Sequence, residues 1–267
     1  MVAACRAVET ERPDGLVRDP FAAKLAGERG MAILRNLPGV DTVAFGVAIR
    51  SHYLDEMIAG MTSAGTVGTV LSLGSGLDTR PWRLDLPEHL RWVEADFAAM
   101  LKYKKAVMAP QPPKCRLQQM EADLNDAAAR RAVFAAAPDG SALLITEGLL
   151  PYLPAETVEA LVAAATGTPG LHYWLLDATS AALGMRVMKS YTSILEVRAP
   201  NALHGDQTLA MLKRYSWTTV QRRSYTKDAY AAAPERVREL ASRMPAAERP
   251  ASPRGDDPSG VDLLKRG

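Results

Sequence analysis

A chain of 267 residues, 48% hydrophobic and 23% charged, has the length of one large α/β domain and enough apolar material for a core without covalent staples. Its net charge of +2, with Lys and Arg scattered, argues against a nucleic-acid binder, which carries a basic face. Cys5 and Cys115 form neither a disulfide framework nor a metal-ligand spacing, and the chain has no leader-like or membrane-spanning apolar run, so a reduced, cytoplasmic setting without membrane partners is expected.

In chain order, residues 1–64 read as a helical segment without strand pattern. Within it, VAFGVAIRSHYLDEMIAGM (43–61) places Val47, Leu54, Ile58 and Met61 on one face by the spacing of three and four. Gly65 and Gly68 punctuate the chain after it. Short apolar runs then alternate with helical stretches. TVLSL (69–73) comes first, then RWVEAD (91–96) with a helix over roughly 97–108, then the weaker CRLQQMEAD (115–123). SALLITE (141–147) follows, with a helix opening at Pro154 and carrying Val158, Leu161, Val162 and Ala165 as its stripe, and LHYWLLDA (171–178) is the fifth run. This alternation predicts βαβ units and a mostly parallel sheet.

Residues 180–214 read as helical or irregular, and WTTVQRRSY (217–225) returns to β-type residues. ERPASPRGDDPSG (248–260), rich in Pro, Gly and charge, reads as a loose tail. The expected organisation is an N-terminal helical segment (1–64), a Rossmann-like domain (65–230) with a cover segment at 180–214, and a C-terminal helix and loose tail (231–267).

The segment LSLGSGLDTRPWRL (71–84) is the most informative for function. A strand running into Gly74-Ser75-Gly76 lets the backbone turn sharply and approach a ligand, because neither glycine has a Cβ. In open α/β sheets ligands sit beyond the carboxyl ends of the strands. Such a turn alone is a weak signal, since a plain strand-to-helix turn looks the same. Asp96 closes the second strand twenty positions after Gly76 (96 − 76), where a carboxylate can accept from the ribose hydroxyls of an adenosine cofactor. That spacing suits a nicotinamide dinucleotide and a sulfonium nucleoside alike. The dinucleotide fingerprint, however, carries a third glycine beside the pyrophosphate, and position 79 is Thr79. Asp78 and Thr79 have a second reading as helix N-caps ahead of Pro81.

Arg50 stands three residues after Val47 and four before Leu54, on the apolar face of its helix. A guanidinium there needs a partner to offset its desolvation. A core carboxylate would serve, and so would the α-carboxylate of an amino-acid-like cofactor, gripped by bidentate hydrogen bonds. Periodicity does not choose between them.

LSLGSGLDTRPWRL, WVEADF with Lys102, Lys104 and Lys105 after it, EADL (121–124) and ITEGLLPYL (145–153) stand in the order and spacing of the leucine carboxyl methyltransferase-like group. The chain resembles that family, which includes bacterial polyketide O-methyltransferases, over roughly 19–225. DPFAAKLAG (19–27) is similar to its N-terminal DPFA segment. QTLAMLKRYSW (207–217) is similar to a late segment leading to Gly-Trp, with Ser216 in place of the glycine. The resemblance implies an α/β, Rossmann-like class I methyltransferase fold: a mostly parallel sheet, an N-terminal helical segment and a helical cover over the acceptor site. It also implies S-adenosyl-L-methionine (SAM) as cofactor. By position it assigns Arg50 to the cofactor carboxylate, Gly74 and Gly76 to the turn beneath its methionine part, and Asp96 to the ribose. Asp123 and Leu124 match the pair beside the adenine, and Glu147 the acid near the cofactor's amino group. Read without the family, Asp123 ahead of Asn125 and Asp126 marks a helix start, and Glu147 is a strand-end carboxylate.

The expected reaction is methylation of a carboxylate or hydroxyl oxygen on a small molecule. A sulfonium carries its own reactivity, so the protein supplies positioning and electrostatics. A carboxylate acceptor is already ionised, whereas a hydroxyl needs a base or an oxyanion donor. Tyr152 resembles the family's tyrosine in E-x-x-x-x-Y, and His204 stands in the expected cover. Both are candidates for the transfer site with a structural role as the alternative, and no catalytic base is assigned. Met185, Met188 and Met211 are candidates for a pocket wall or the core, while His52, His89 and His172 form no pattern. The competing functions are an NAD(P)-dependent oxidoreductase, against which the missing third glycine counts, and a SAM-binding protein without catalysis.

Overall fold

A computed structural model describes residues 1–137, 140–181, 202–243 and 259–267. Three helices come first: α1 (Val2–Glu11), α2 (Ala22–Arg35) and α3 (Val40–Ser63). α3 is apolar on most sides because it is packed on most sides. Ile49, Leu54 and Ile58 meet the sheet residues Val70, Trp92 and Leu143, while Ala44 and Val47 meet Ala4 and Cys5 of α1. Among the described residues, no helix is long and apolar enough to cross a membrane.

The α/β part follows as β1 (Thr69–Leu73), a short α4 (Arg80–Arg83), β2 (Arg91–Asp96), α5 (Ala98–Met108) and β3 (Arg116–Glu121). It continues with α6 (Ala127–Phe134), β4 (Ala142–Thr146), a 3-10 turn (Leu150–Tyr152), α7 (Ala155–Thr166) and β5 (Leu171–Ala178). Then come α8 (Gly205–Arg214), β6 (Trp217–Ser224), α9 (Lys227–Ala232), α10 (Pro234–Arg243) and β7 (Gly260–Arg266). The seven strands lie in the order β3-β2-β1-β4-β5-β7-β6. The first five are parallel, and β7 runs antiparallel to both β5 and β6.

β1 and β4 are buried along their whole length, as befits central parallel strands covered on both faces. Alternation along β1 sends Leu71 and Leu73 to the α7 side and Val70 to the α3 side. The chain builds outward from β1 through β2 to β3, then returns to β4 on the other flank. That reversal opens a crevice at the carboxyl ends of β1 and β4, where open α/β sheets bind ligands.

The C-terminal stretch corrects the expected loose tail. Residues 260–266 form β7, inserted between β5 and β6, with Val261, Leu263 and Leu264 buried. The fully buried Asp262 interrupts its apolar run; its carboxylate is held by Arg222 (2.8 Å) and Thr219 (3.2 Å) of β6. Most of the rest of that tail, and residues 182–201 of the expected cover, lie outside the described residues.

Ser216 joins α8 to β6 with φ +65°, the one non-glycine residue with positive φ among the described residues. A side chain in this region costs about 1–2 kcal/mol, part of which glycine would return as unfolded-chain entropy. Ser216→Gly is therefore expected to raise unfolding stability by about 0.5–1 kcal/mol in urea denaturation. A loss of stability would show that the serine hydroxyl contributes more than the backbone strain costs.

Candidate functional site

β1 ends at Leu73 and the backbone turns through Gly74 (φ +60°) and Gly76 (φ +47°). At Gly74 a second constraint applies, since a Cβ there would lie 2.7 Å from Cδ1 of Leu149. The turn is pinned to β2: Gly74 N–H donates to Ala95 O at 2.8 Å, and Gly76 N–H donates to Oδ2 of Asp96 at 2.6 Å. The other oxygen of Asp96 accepts from Phe97 N–H at 2.7 Å. Asp96 thus shapes the glycine turn directly. The ring of Phe97 beside it is 59% exposed.

Behind the turn lies a continuous ion-pair network. Arg80, its side chain 2% exposed, donates to Asp55 of α3 (2.7 Å), to Asp78 of the turn (3.0 Å) and to Glu147 at the end of β4 (2.8 Å). Arg83 grips the same Asp55 through both terminal nitrogens, at 2.6 and 2.7 Å. Arg50 donates to Glu147 (3.0 Å) and to Asp177 near the end of β5 (3.2 Å). Asp177 accepts Gly148 N–H on its other oxygen at 2.6 Å. Burial pushes the Asp78 and Glu147 carboxyls up, but the positive charge of Arg80 and its neighbours outweighs it and holds both below their ordinary values. For Arg50 and Arg80 burial opposes the charge, yet the surrounding carboxylates prevail and raise both guanidiniums.

A cavity of about 270 Å³ opens in front of this network, walled by Arg6 of α1, Arg50, Gly74, Gly76, Glu147 and Gly148 among others. Four of the residues that the family resemblance assigns to the cofactor, Arg50, Gly74, Gly76 and Glu147, therefore meet at one place, with Asp78 beside them. Asp96 touches the turn without lining the cavity. Asp123 and Leu124 sit further along the same rim, because β3 pairs with β2 and Ala122 N–H donates to Asp96 O at 3.0 Å. Asp123 is exposed and holds Asn125, while the Leu124 side chain belongs to the core. Tyr152 is 49% exposed in its 3-10 turn. His204 precedes α8, whose Gly205 N–H donates to Thr179 O just beyond β5 at 2.9 Å; neither lines the cavity.

Of the two N-cap readings, Asp78 accepts from Arg80 N–H at 3.1 Å. The Thr79 hydroxyl instead donates to Asp19 at 2.7 Å. Met211 is a core residue, and Met185 and Met188 lie outside the described residues. Reading the sequence missed Arg6, which donates to Asp19 (2.8 Å) and to Leu77 O (2.6 Å), and it missed Arg80, Asp55 and Asp177. The available signals were an arginine between Leu77 and Trp82 and a carboxylate near the end of an otherwise apolar strand.

A model of the leucine carboxyl methyltransferase family matches residues 1–166. The chain belongs to that family. It is 34% identical to a Streptomyces avermitilis protein named "Putative S-adenosyl-L-methionine-dependent methyltransferase", over 61% of each chain. It is 36% identical to a Mycobacteroides abscessus protein of the same name, over 60% of this chain and 57% of that one. These matches span about three-fifths of the relatives' length. In fold it is similar to a DUF574 family protein of Streptomyces avermitilis, with TM-score 0.57 and 15% identity over 100% of this chain and 97% of that one. It is also similar to an O-methyltransferase family protein of Burkholderia thailandensis, with TM-score 0.52 and 12% identity over 100% and 70%. The family and these neighbours agree with the Rossmann-like class I methyltransferase fold.

The network ties folding to pH. Glu147 and Asp78 are held below their ordinary values of 4.5 and 3.8, so each contributes stability that is present above those values and lost as pH falls toward the folded-state value. Urea denaturation should show stability declining below about pH 4.5. Arg80→Met should cost about 3–5 kcal/mol at neutral pH by stranding buried carboxylates, and should flatten the acid decline. A variant as stable as the parent at pH 7 would remove the network from this role.

Proposed function

We propose that the chain is a SAM-dependent methyltransferase acting on a carboxylate or hydroxyl oxygen of a small molecule. The observation that carries this reading is the meeting of Arg50, Glu147, Gly74 and Gly76 on one cavity. A guanidinium and a carboxylate 3.0 Å apart form a receptor for a zwitterion. Arg50 has N–H donors beyond the two it gives to Glu147 and Asp177, which can grip an α-carboxylate, and Glu147 can accept from an α-ammonium. The cavity, about 270 Å³, is below the roughly 300–1,000 Å³ of whole-ligand pockets. It suits the amino-acid end of a larger molecule whose nucleoside lies along the open rim. There Asp96 would receive the ribose hydroxyls, the exposed Phe97 ring offers a face for a flat base, and Asp123 with Leu124 would border the adenine.

When bound, SAM supplies a methyl group made electrophilic by the sulfonium. The protein's own contribution is to fix the amino-acid end from Arg50 and Glu147, to fix the ribose from Asp96, and so to aim the methyl at the acceptor. A carboxylate acceptor then needs no base from the protein, and Tyr152 and His204 remain candidates beside a hydroxyl acceptor. The oxidoreductase reading fits less well. The helix after the turn has only four residues, its first N–H is taken by Asp78, and Thr79 stands where the dinucleotide fold has a glycine for close helix–strand packing. These features do not favour a pyrophosphate at this turn.

Asp96→Ala should weaken SAM binding about 10- to 100-fold by calorimetry, the scale of a lost charge-assisted hydrogen bond, with release of the Gly76 N–H adding to the effect. Unchanged affinity would take Asp96 out of the site. Incubation with methyl-labelled SAM and a panel of carboxylic acids, phenols and amines should give label on oxygen, released by alkali as methanol from an ester or retained in an ether. Label found only on nitrogen, or no transfer while SAM binds, would contradict O-methylation or catalysis respectively.

A further inference from the structure

The ion-pair network behind the cavity does not balance. Arg50, Arg80 and Arg83 are linked in one chain of contacts to Asp55, Asp78, Glu147 and Asp177. Three guanidiniums against four carboxylates leave one negative charge in excess. Every one of the eight carboxylate oxygens accepts an N–H: Asp55 from Arg80 and Arg83, Asp78 from Arg80 alone, Glu147 from Arg50 and Arg80, and Asp177 from Arg50 and Gly148. A protonated carboxyl would have to donate from one of its oxygens, so this geometry is that of four ionised groups. Arg6 and Asp19 form a separate neutral pair. The Met1 amine on the α1 wall makes no ion pair with the four carboxylates among the described residues. The seven side chains of the network are only 2–17% exposed, so water screens the surplus weakly.

A ligand carrying one net positive charge completes this arrangement. SAM is such a ligand at neutral pH, with a sulfonium, an ammonium and a carboxylate. In methyl transfer a lone pair of the acceptor oxygen forms the new bond to carbon, the carbon–sulfur bond breaks, and its electron pair stays on sulfur. The product, S-adenosylhomocysteine (SAH), is a thioether with no net charge. We propose that the excess carboxylate makes the site select the cationic cofactor over its neutral product and so promotes product release, with Asp177 as the specificity-determining residue. This deepens the function proposed above and rests on it. Asp177 is the member whose charge can be removed most conservatively: an asparagine there can still accept from Gly148 N–H, and Arg50 keeps Glu147.

The test is calorimetric titration of the full chain with SAH and with sinefungin, a non-transferring SAM analogue that bears a protonated amine in place of the sulfonium. The parent should bind sinefungin on the order of tenfold more tightly than SAH, the scale of one weakly screened charge pair. In Asp177→Asn the ratio should fall toward one, because the charge that favours the cationic ligand is gone, while any loosening of Arg50 acts on the amino-acid end that both ligands share and so weakens both alike. Asp177→Glu, which keeps the charge, should keep the preference. Equal affinities in the parent, or a preference that survives in Asp177→Asn, would overturn the proposal while leaving the cofactor reading intact. Failure of the parent to bind either ligand would overturn the cofactor reading as well. Since the parent's own ratio is decisive, a variant that does not fold leaves the proposal falsifiable.

Discussion

Arg80 is sealed inside the protein, and its burial dictates which parts of the chain must meet around it. A guanidinium removed this far from water is tolerable only with hydrogen-bonded counter-charges. Three segments distant in sequence supply them: Asp55 from α3, Asp78 from the glycine turn and Glu147 from the end of β4. The N-terminal helices therefore cannot drift from the carboxyl edge of the sheet without breaking buried ion pairs. The turn itself is fixed from both sides, by Asp96 of β2 in front and Arg80 behind. Arg50 carries the same constraint across to β5 through Asp177.

The consequence for function is preorganisation. The crevice where the strand order reverses supplies the position of a site, and the network supplies its chemistry. Arg50 and Glu147 are already oriented by partners that do not depend on a ligand, so little ordering is left for the binding event. The proposed zwitterion receptor and the proposed preference for a cationic cofactor both follow from one feature, a charge cluster held rigid and nearly dry.

Much of the fold was legible because the central strands obey simple rules. β1, β4 and β5 read as short, mostly apolar runs, as parallel strands covered on both faces must, β2 shows Trp92, Val93 and Ala95 around the buried Glu94, and the helix after Pro154 shows its stripe openly. β7 was hidden for a physical reason: Asp262 interrupts its apolar run just after a Pro- and Gly-rich stretch, and the residues that hold that acid, Arg222 by an ion pair and Thr219 by a donated hydrogen bond, lie about forty residues away in sequence. Periodicity reports on one element at a time and cannot see such a partner. The site divides in the same way. Gly74, Gly76 and Glu147 announced themselves through motif spacing and family resemblance. Arg50 was visible as an anomaly, a charge on an apolar helix face, but its partner was not. In the structure two carboxylates from β4 and β5 answer it. Arg80 and Asp177 went unnoticed because each is explained only by residues brought near in three dimensions.

The most direct test is a structure determined with S-adenosylhomocysteine bound. Its α-carboxylate should lie within hydrogen-bond distance of Arg50, its amine beside Glu147, and its ribose hydroxyls on Asp96, with the Arg80 ion pairs unchanged. An amino-acid end turned away from Arg50, or a ligand seated elsewhere on the sheet, would show that the buried network is a structural device alone and that the cavity is not the cofactor site.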